Sequence, residues 1–252
     1  MKISLTRPIK IIMLGAGGTG AYAAPHIYRL LHTLPRPVRF IIADGDSVEE
    51  KNLIRQNFIN ADLGENKAKI LAERYATAFG MDIEYIPEFI EDDNKLFEIV
   101  QPYESGPPDY IREISILIGA VDNNRSRQIC HRVFMKTREL IYIDSGNGEY
   151  TGQVACGIRR NSRTYFKPIG DLYPDVLLDI DKLPTELSCA EAAVSAPQSI
   201  TANIMAATAI VSYIYNILVL GSIEVRNITF STESIHMKPE IIRRKQKRKK
   251  AA

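Results

Sequence analysis

Only three cysteines, Cys130, Cys156 and Cys189, occur in the 252 residues, an odd number without close spacing. That scarcity excludes a disulfide framework and a Cys-x-x-Cys zinc site, so zinc is not expected and a reducing cytoplasm fits. The four histidines, His26, His32, His131 and His236, are scattered with no metal-ligand spacing. Secretion is not expected, because Met1 to Lys10 has no signal-peptide layout of basic, apolar and small-residue regions. Long apolar runs free of polar residues are also absent. Ile200 to Leu220 comes nearest, yet Thr201, Asn203, Thr208, Ser212 and Asn216 recur through it. It reads as a core helix and not as a membrane span.

Acid is absent from the C-terminal end, where Arg243 to Lys250 holds seven basic residues. Without them the chain has 25 basic against 30 acidic residues, a net charge of −5. A mildly acidic body is not the footprint of a nucleic-acid-binding domain, so contact with RNA, DNA or an acidic partner is confined to the tail. The plainer reading of the tail is a solvated, disordered terminus. The apolar fraction of 45% and charged fraction of 25% are those of an ordinary globular protein. One large domain over residues 1–238, followed by a tail over 239–252, is the expected organisation.

Ile11 to Leu14 is an apolar run ending in Gly15, Gly17, Gly18 and Gly20, and Ala21 to Leu34 has helical composition. Pro35 and Pro37 stop that helix before the β-branched run Val38 to Ala43. The opening is therefore a βαβ unit. Helices are expected at 66–79, around 96–100 and at 125–138, with strands at 83–86, 114–118 and 140–143 between them. This alternation predicts an α/β fold with a doubly wound, mostly parallel Rossmann-like sheet. Tyr150 to Ile158 and Glu224 to Phe230 read as an antiparallel extension, and a helix is expected from about Ser195 to Leu218. Residues 161–194 lack periodicity and are rich in Pro and Asp. They read as a long crossover loop belonging to the site.

Gly15-Ala-Gly-Gly-Thr-Gly20 satisfies G-x-G-x-x-G, in which glycines admit phosphate close to the backbone and the next helix offers free N–H groups. Asp44 ends the following strand, where a carboxylate can hold ribose hydroxyls. Two nucleotide classes fit that much. A nicotinamide-dependent oxidoreductase would need only these two features, whereas Asn52, Arg55, Gln56 and Lys67 place cations and amides just beyond the ribose. A triphosphate, with about four negative charges, needs such neutralisation. The competing reading makes Arg55 and Lys67 surface cations at helix starts. Asp122 is read either as a metal ligand or as a helix N-cap.

Asp44-Gly-Asp46, Asn52-Leu-Ile-Arg55-Gln56, Lys67, Val121-Asp122-Asn123 with Arg127, Thr151-Gly-Gln-Val154 and Ser188-Cys189-Ala-Glu191 follow the glycine turn in order. With that order and spacing the chain resembles the ThiF/MoeB/HesA family, relatives of the ubiquitin-activating enzymes, from about Lys10 to Phe230. The stretch Asp144 to Gln153 looks most like the ThiF-type proteins of plasmid PRTRC systems. The resemblance implies ATP- and magnesium-dependent adenylation of a carboxylate, here the flexible C-terminus of a small ubiquitin-like β-grasp partner. It implies that Asp44 holds ribose, with Asp46 beside it in the same motif, and that the glycines lie against phosphate. Asn52, Arg55 and Lys67 would grip the triphosphate with Gln56 in support, and Asp122 would hold magnesium. Cys189 matches the position of an acyl-accepting thiol, with an inert buried cysteine as the alternative. A homodimer is implied, together with an arm arginine reaching the neighbouring subunit, for which only Arg7 is available. Relatives with structural zinc carry two Cys-x-x-Cys pairs, and this chain has neither. A catalytically silent nucleotide-binding scaffold is the remaining alternative.

Overall fold

The computed structural model describes residues 1–102, 112–178, 180, 182–186 and 198–242. Strand β1 (Ile9–Leu14) is buried at every position, as a strand in the middle of a covered parallel sheet must be. It pairs in parallel with β2 (Val38–Ala43) on one side and β4 (Ile114–Gly119) on the other, so that Leu14 stands beside both Ala43 and Gly119. Strands β3 (Glu84–Ile86) and β5 (Leu140–Asn147) extend the parallel part outward. Beyond β5 the sheet turns antiparallel through β6 (Thr151–Arg160), β8 (Val225–Ser231) and β9 (His236–Ile241). The order β3-β2-β1-β4-β5-β6-β8-β9, with β7 (Arg163–Phe166) on β6, is the doubly wound arrangement with an antiparallel extension that the pattern predicts.

Alternate residues of β1 sort the two cores. Ile9, Ile11 and Met13 face a layer formed by α1 (Gly18–Leu31), α3 (Lys67–Phe79) and α8 (Ile200–Leu218). Ile12 and Leu14 face α4 (Asp93–Val100) and α5 (Asn124–Lys136). Covering both faces is what licenses the uninterrupted apolar strands. Half of α8 is buried, and it packs on α1, β5 and β6. Its length and apolar composition alone would suffice to cross a membrane.

Helix α1 contains Pro25, whose missing N–H leaves the Ala21 carbonyl without its i+4 partner. The Asn57 side chain supplies the missing donor, 3.2 Å from the Ala21 oxygen. Helix α3 begins under Asn66, which accepts from the Lys69 N–H at 2.9 Å, and ends at Gly80 with φ +66°.

Three expectations need correction. Residues 161–194 are not a featureless loop. Asn161 and Ser162, both with positive φ, form a two-residue turn that pairs β7 with β6, and α6 (Ile169–Leu172), α7 (Asp175–Leu178) and a 3-10 turn at Pro184–Glu186 follow. The boundary at 239 falls inside β9, a strand whose six residues are all exposed and so carry no apolar alternation. Helix α8 begins at Ile200 and not near Ser195, because Ser199 caps it by accepting from the Ala202 N–H at 3.1 Å. Helix α2 (Glu50–Leu53), too short for a periodic signal, was not expected. The tail from Arg243 lies outside the described residues.

Candidate active site

The chain leaves β1 toward β2 on one side and reaches β4 on the other, so the order reverses between β1 and β4. A crevice opens at the carboxyl ends of strands at such a point. Here a cleft of about 340 Å³ opens there, lined by Gly15, Gly17 and Gly18 together with Asp44, Asp46, Asn52, Arg55, Gln56, Lys67 and Asp122. Gly15 has φ +94°, and a Cβ there would stand 2.4 Å from the Ala120 carbonyl oxygen. The turn therefore closes directly onto the end of β4. Gly18 is needed for a different reason, because a Cβ would meet the Asn203 amide at 2.3 Å. Gly20 lies outside the cleft, packed against the Gly15 carbonyl, and shapes the turn from behind. Among the described residues no side chain caps α1 at Gly17, and no acid occupies its first turn, so its amide end faces the cleft with its positive dipole.

Asp44 braces this turn. One carboxylate oxygen accepts from the Ala16 N–H at 2.6 Å and the other from the Asp46 N–H at 2.8 Å. Burial pushes its pKa up to about 6, opposed by the Lys67 ammonium and the two N–H donors and reinforced by the Asp46 carboxylate. Asp46 holds the Lys67 ammonium at 2.8 Å, and Lys67 is itself buried. Asn52 accepts from the Glu49 N–H at 2.9 Å, fixing the start of α2. Its carbonyl accepts from the Gln56 N–H at 2.8 Å. Gln56 is buried beside Gly17, with its Nε2 toward the turn, and its Oε1 has no partner among the described residues.

Arg55 belongs to a network not visible in the sequence motifs. Its Nη1 donates to Gln198 Oε1 at 3.0 Å, while Asn203 Nδ2 donates to its carbonyl at 3.4 Å. Asn147 donates to Asn203 Oδ1 at 3.1 Å and accepts from the Thr19 hydroxyl at 3.1 Å. One fully buried asparagine on α8 thus ties the glycine turn, the end of β5 and the segment carrying Arg55 together. The available sequence signal was one of the polar residues, Asn203, that recur through an uncharged and mostly apolar helix.

Asp122 is exposed at the mouth of the β4–α5 connection. It is not the N-cap of α5. Asn123 is, accepting from the Ser126 N–H at 2.8 Å. The Asp122 carboxylate is thereby left to the cleft. Magnesium binds through one or two carboxylates plus phosphate oxygens and water, so a single carboxylate beside a phosphate site fits it. Among the described residues no group of three or more His, Cys, Asp or Glu could hold a metal without such added ligands.

Other predicted residues fall elsewhere. Arg7 cannot serve a neighbouring subunit in this conformation. Its guanidinium donates to both Glu139 carboxylate oxygens and to the Arg112 and Glu113 carbonyls, at the end of the sheet opposite the cleft. Arg127 is a buried staple, donating to Asp144, Asn124 and the Val121 and Ser145 carbonyls. Cys130 and Cys156 are buried in the core, as packing residues. Cys189 lies outside the described residues.

A doubly wound α/β domain with its cleft at the switch point, roofed by a helix amide end and walled by Arg55 and the buried Lys67, is the class these features define. The chain belongs to the ThiF family, whose model matches residues 5–251. It is 26% identical over 162 residues to the SUMO-activating enzyme subunit uba-2 of Caenorhabditis elegans, covering 62% of this chain and 24% of that protein. Its fold is like that of PaaA, with TM-score 0.61, 18% identity and coverage of 93% of this chain and 64% of that one. It is also like Escherichia coli MccB crystallised with AMPCPP and MccA, with TM-score 0.59, 16% identity and coverage of 92% and 63%. The chain thus spans less than two thirds of each of these relatives.

Proposed function

We propose that this protein uses ATP and magnesium to adenylate a carboxylate, the C-terminus of a small ubiquitin-like or peptide partner. The observation that carries the reading is convergence: Arg55, Lys67 and Asp122, from three separate segments of the chain, line one cleft with the glycine turn. The relatives suit it, since one is a SUMO-activating enzyme subunit and another was crystallised with an ATP analogue and MccA.

In this reading Gly17, Gly18 and the start of α1 take the phosphates, and Asp44 and Asp46 sit at the ribose. Asn52, Arg55 and Lys67 hold the polyphosphate, with Gln56 beside it. Magnesium, when bound at Asp122, would neutralise part of the polyphosphate charge. The incoming carboxylate forms a new bond to the α-phosphorus as the bond to pyrophosphate breaks, and the pyrophosphate departs with its charge on the cations. The protein's work is to hold two mutually repelling anions in line and to offset charge on the leaving group. Transfer to Cys189 would follow by thiolate attack on the acyl carbon, releasing AMP. The homodimer and the cytoplasmic location belong to the same proposal.

Partner-stimulated exchange of radiolabelled pyrophosphate into ATP tests it. Arg55→Ala and Asp122→Ala should each lower exchange by about 10²-fold or more, the scale of losing one charge-stabilising group. Exchange that survives both substitutions, or a chain that binds NAD and not ATP with magnesium, would refute it.

A further inference from the structure

Two lysines that line the cleft are held by acids of the same cleft: Lys51 lies 2.8 Å from Glu49 and Lys67 lies 2.8 Å from Asp46. Arg55 is held by a carboxamide instead. Its Nη1 donates to Gln198 Oε1 at 3.0 Å, and among the described residues no acid pairs with it. The difference matters to an incoming anion, because an acid partner offsets the charge that it positions and a neutral amide does not.

The Gln198 amide is itself oriented. Its Nε2 donates to the Asn147 carbonyl at 3.4 Å, which turns Oε1 toward the guanidinium. Asn147 Nδ2 donates to Asn203 Oδ1 at 3.1 Å, and Asn203 Nδ2 donates to the Arg55 carbonyl at 3.4 Å. These four residues close a ring that grips Arg55 by its main chain and its side chain at once. The ring is anchored at both ends. Asn203 is fully buried on α8, and Asn147 accepts from the Thr19 hydroxyl, in the first turn of α1, at 3.1 Å. Ser199 fixes the chain beside Gln198, its hydroxyl donating to the Glu149 carbonyl at 2.6 Å and accepting from the Ala202 N–H at 3.1 Å. A free arginine side chain would lose rotamer freedom on gripping a phosphate, and one already held loses less. The ring occupies a single guanidinium nitrogen, so among the described residues the rest of the fork is left to the cleft.

We propose that Gln198 is a positioning residue for Arg55, a neutral tether that sets the guanidinium for the polyphosphate without offsetting its charge. The proposal rests on reading the cleft as a triphosphate site. It adds a residue outside the glycine turn and the cation motifs, two positions ahead of α8.

Calorimetric titration of the full chain with ATP, ADP and AMP, each with magnesium, tests it. Gln198→Ala should weaken ATP and ADP by about tenfold and leave AMP unchanged, since AMP lacks the phosphates that Arg55 would hold. In an Arg55→Ala background the same change should cost nothing more, a coupling that a merely structural role would not produce. Gln198→Glu keeps an acceptor at the guanidinium but should weaken ATP at least as much, because its carboxylate offsets the arginine. ATP binding unaltered by either substitution, an equal loss for AMP, or a further loss in the Arg55→Ala background would overturn the tether alone. Failure of the wild-type chain to bind ATP would remove the triphosphate reading and this inference together.

Discussion

Asp44 shows how one carboxylate can serve the fold and the site on different terms. Its two oxygens hold the backbone of the glycine turn in place, yet burial makes its ionised form costly, lifting the pKa from 3.8 to about 6. Below pH 3.8 both folded and unfolded chains keep this proton and the group costs nothing. Between 3.8 and about 6 the unfolded chain ionises first, so stability falls as pH rises through that window. Above it the loss is complete, on the order of 3 kcal/mol. Asp44→Asn cannot titrate. Its amide nitrogen also confronts one of the two N–H donors, a penalty that does not vary with pH. Urea unfolding at pH 4 and pH 7 should therefore show the wild type losing about 2 kcal/mol relative to Asp44→Asn between the two. A constant difference would mean that Asp44 ionises in the fold as freely as in water.

Helix α1 carries the cleft-facing amides although Pro25 interrupts its hydrogen-bond ladder, and Asn57 is what makes that tolerable. Asn57→Ala should cost about 1–2 kcal/mol in the presence of Pro25, because the Ala21 carbonyl loses its donor. In a Pro25→Ala background the helix supplies its own N–H, so the same change should cost less. Thermal unfolding of the four variants reads the coupling, and additive effects would show that Asn57 acts only through its contact with the Tyr75 hydroxyl, 3.0 Å away. The long elements were legible in the sequence because each has either a continuous apolar run, as in Val38–Ala43, or a periodic apolar face, as in Lys67–Phe79. Helix α2 was not, since four residues hold no period. The turn joining β6 to β7 escaped notice because Ser162 adopts positive φ, which serine rarely signals. In the site, Arg55, Lys67 and Asp122 were legible as motif residues. Gln198 and Asn203 were not, because only the packing of α8 brings them beside residues some 150 positions earlier.

At the scale of the molecule, a sheet that begins parallel and ends antiparallel has an outer edge to protect. Without β9 the β8 strand would be that edge. Instead β9 covers it, pairing from Ser231↔His236 to Val225↔Ile241. All of β9 is exposed, so apolar burial is not its contribution. Lys238, Pro239 and Glu240 lie at its centre, and charge together with a residue lacking an N–H is how an edge is kept from pairing with another chain. A chain ending at Ile242 keeps this cover and should match the full chain in thermal midpoint and in size-exclusion profile. One ending at Thr232 uncovers β8, with Phe230 and Ile228 among its buried residues, and should form larger species at rising concentration. Equal monodispersity of the two truncations would show that β9 is dispensable, and that the sheet ends safely at β8 by its own residues.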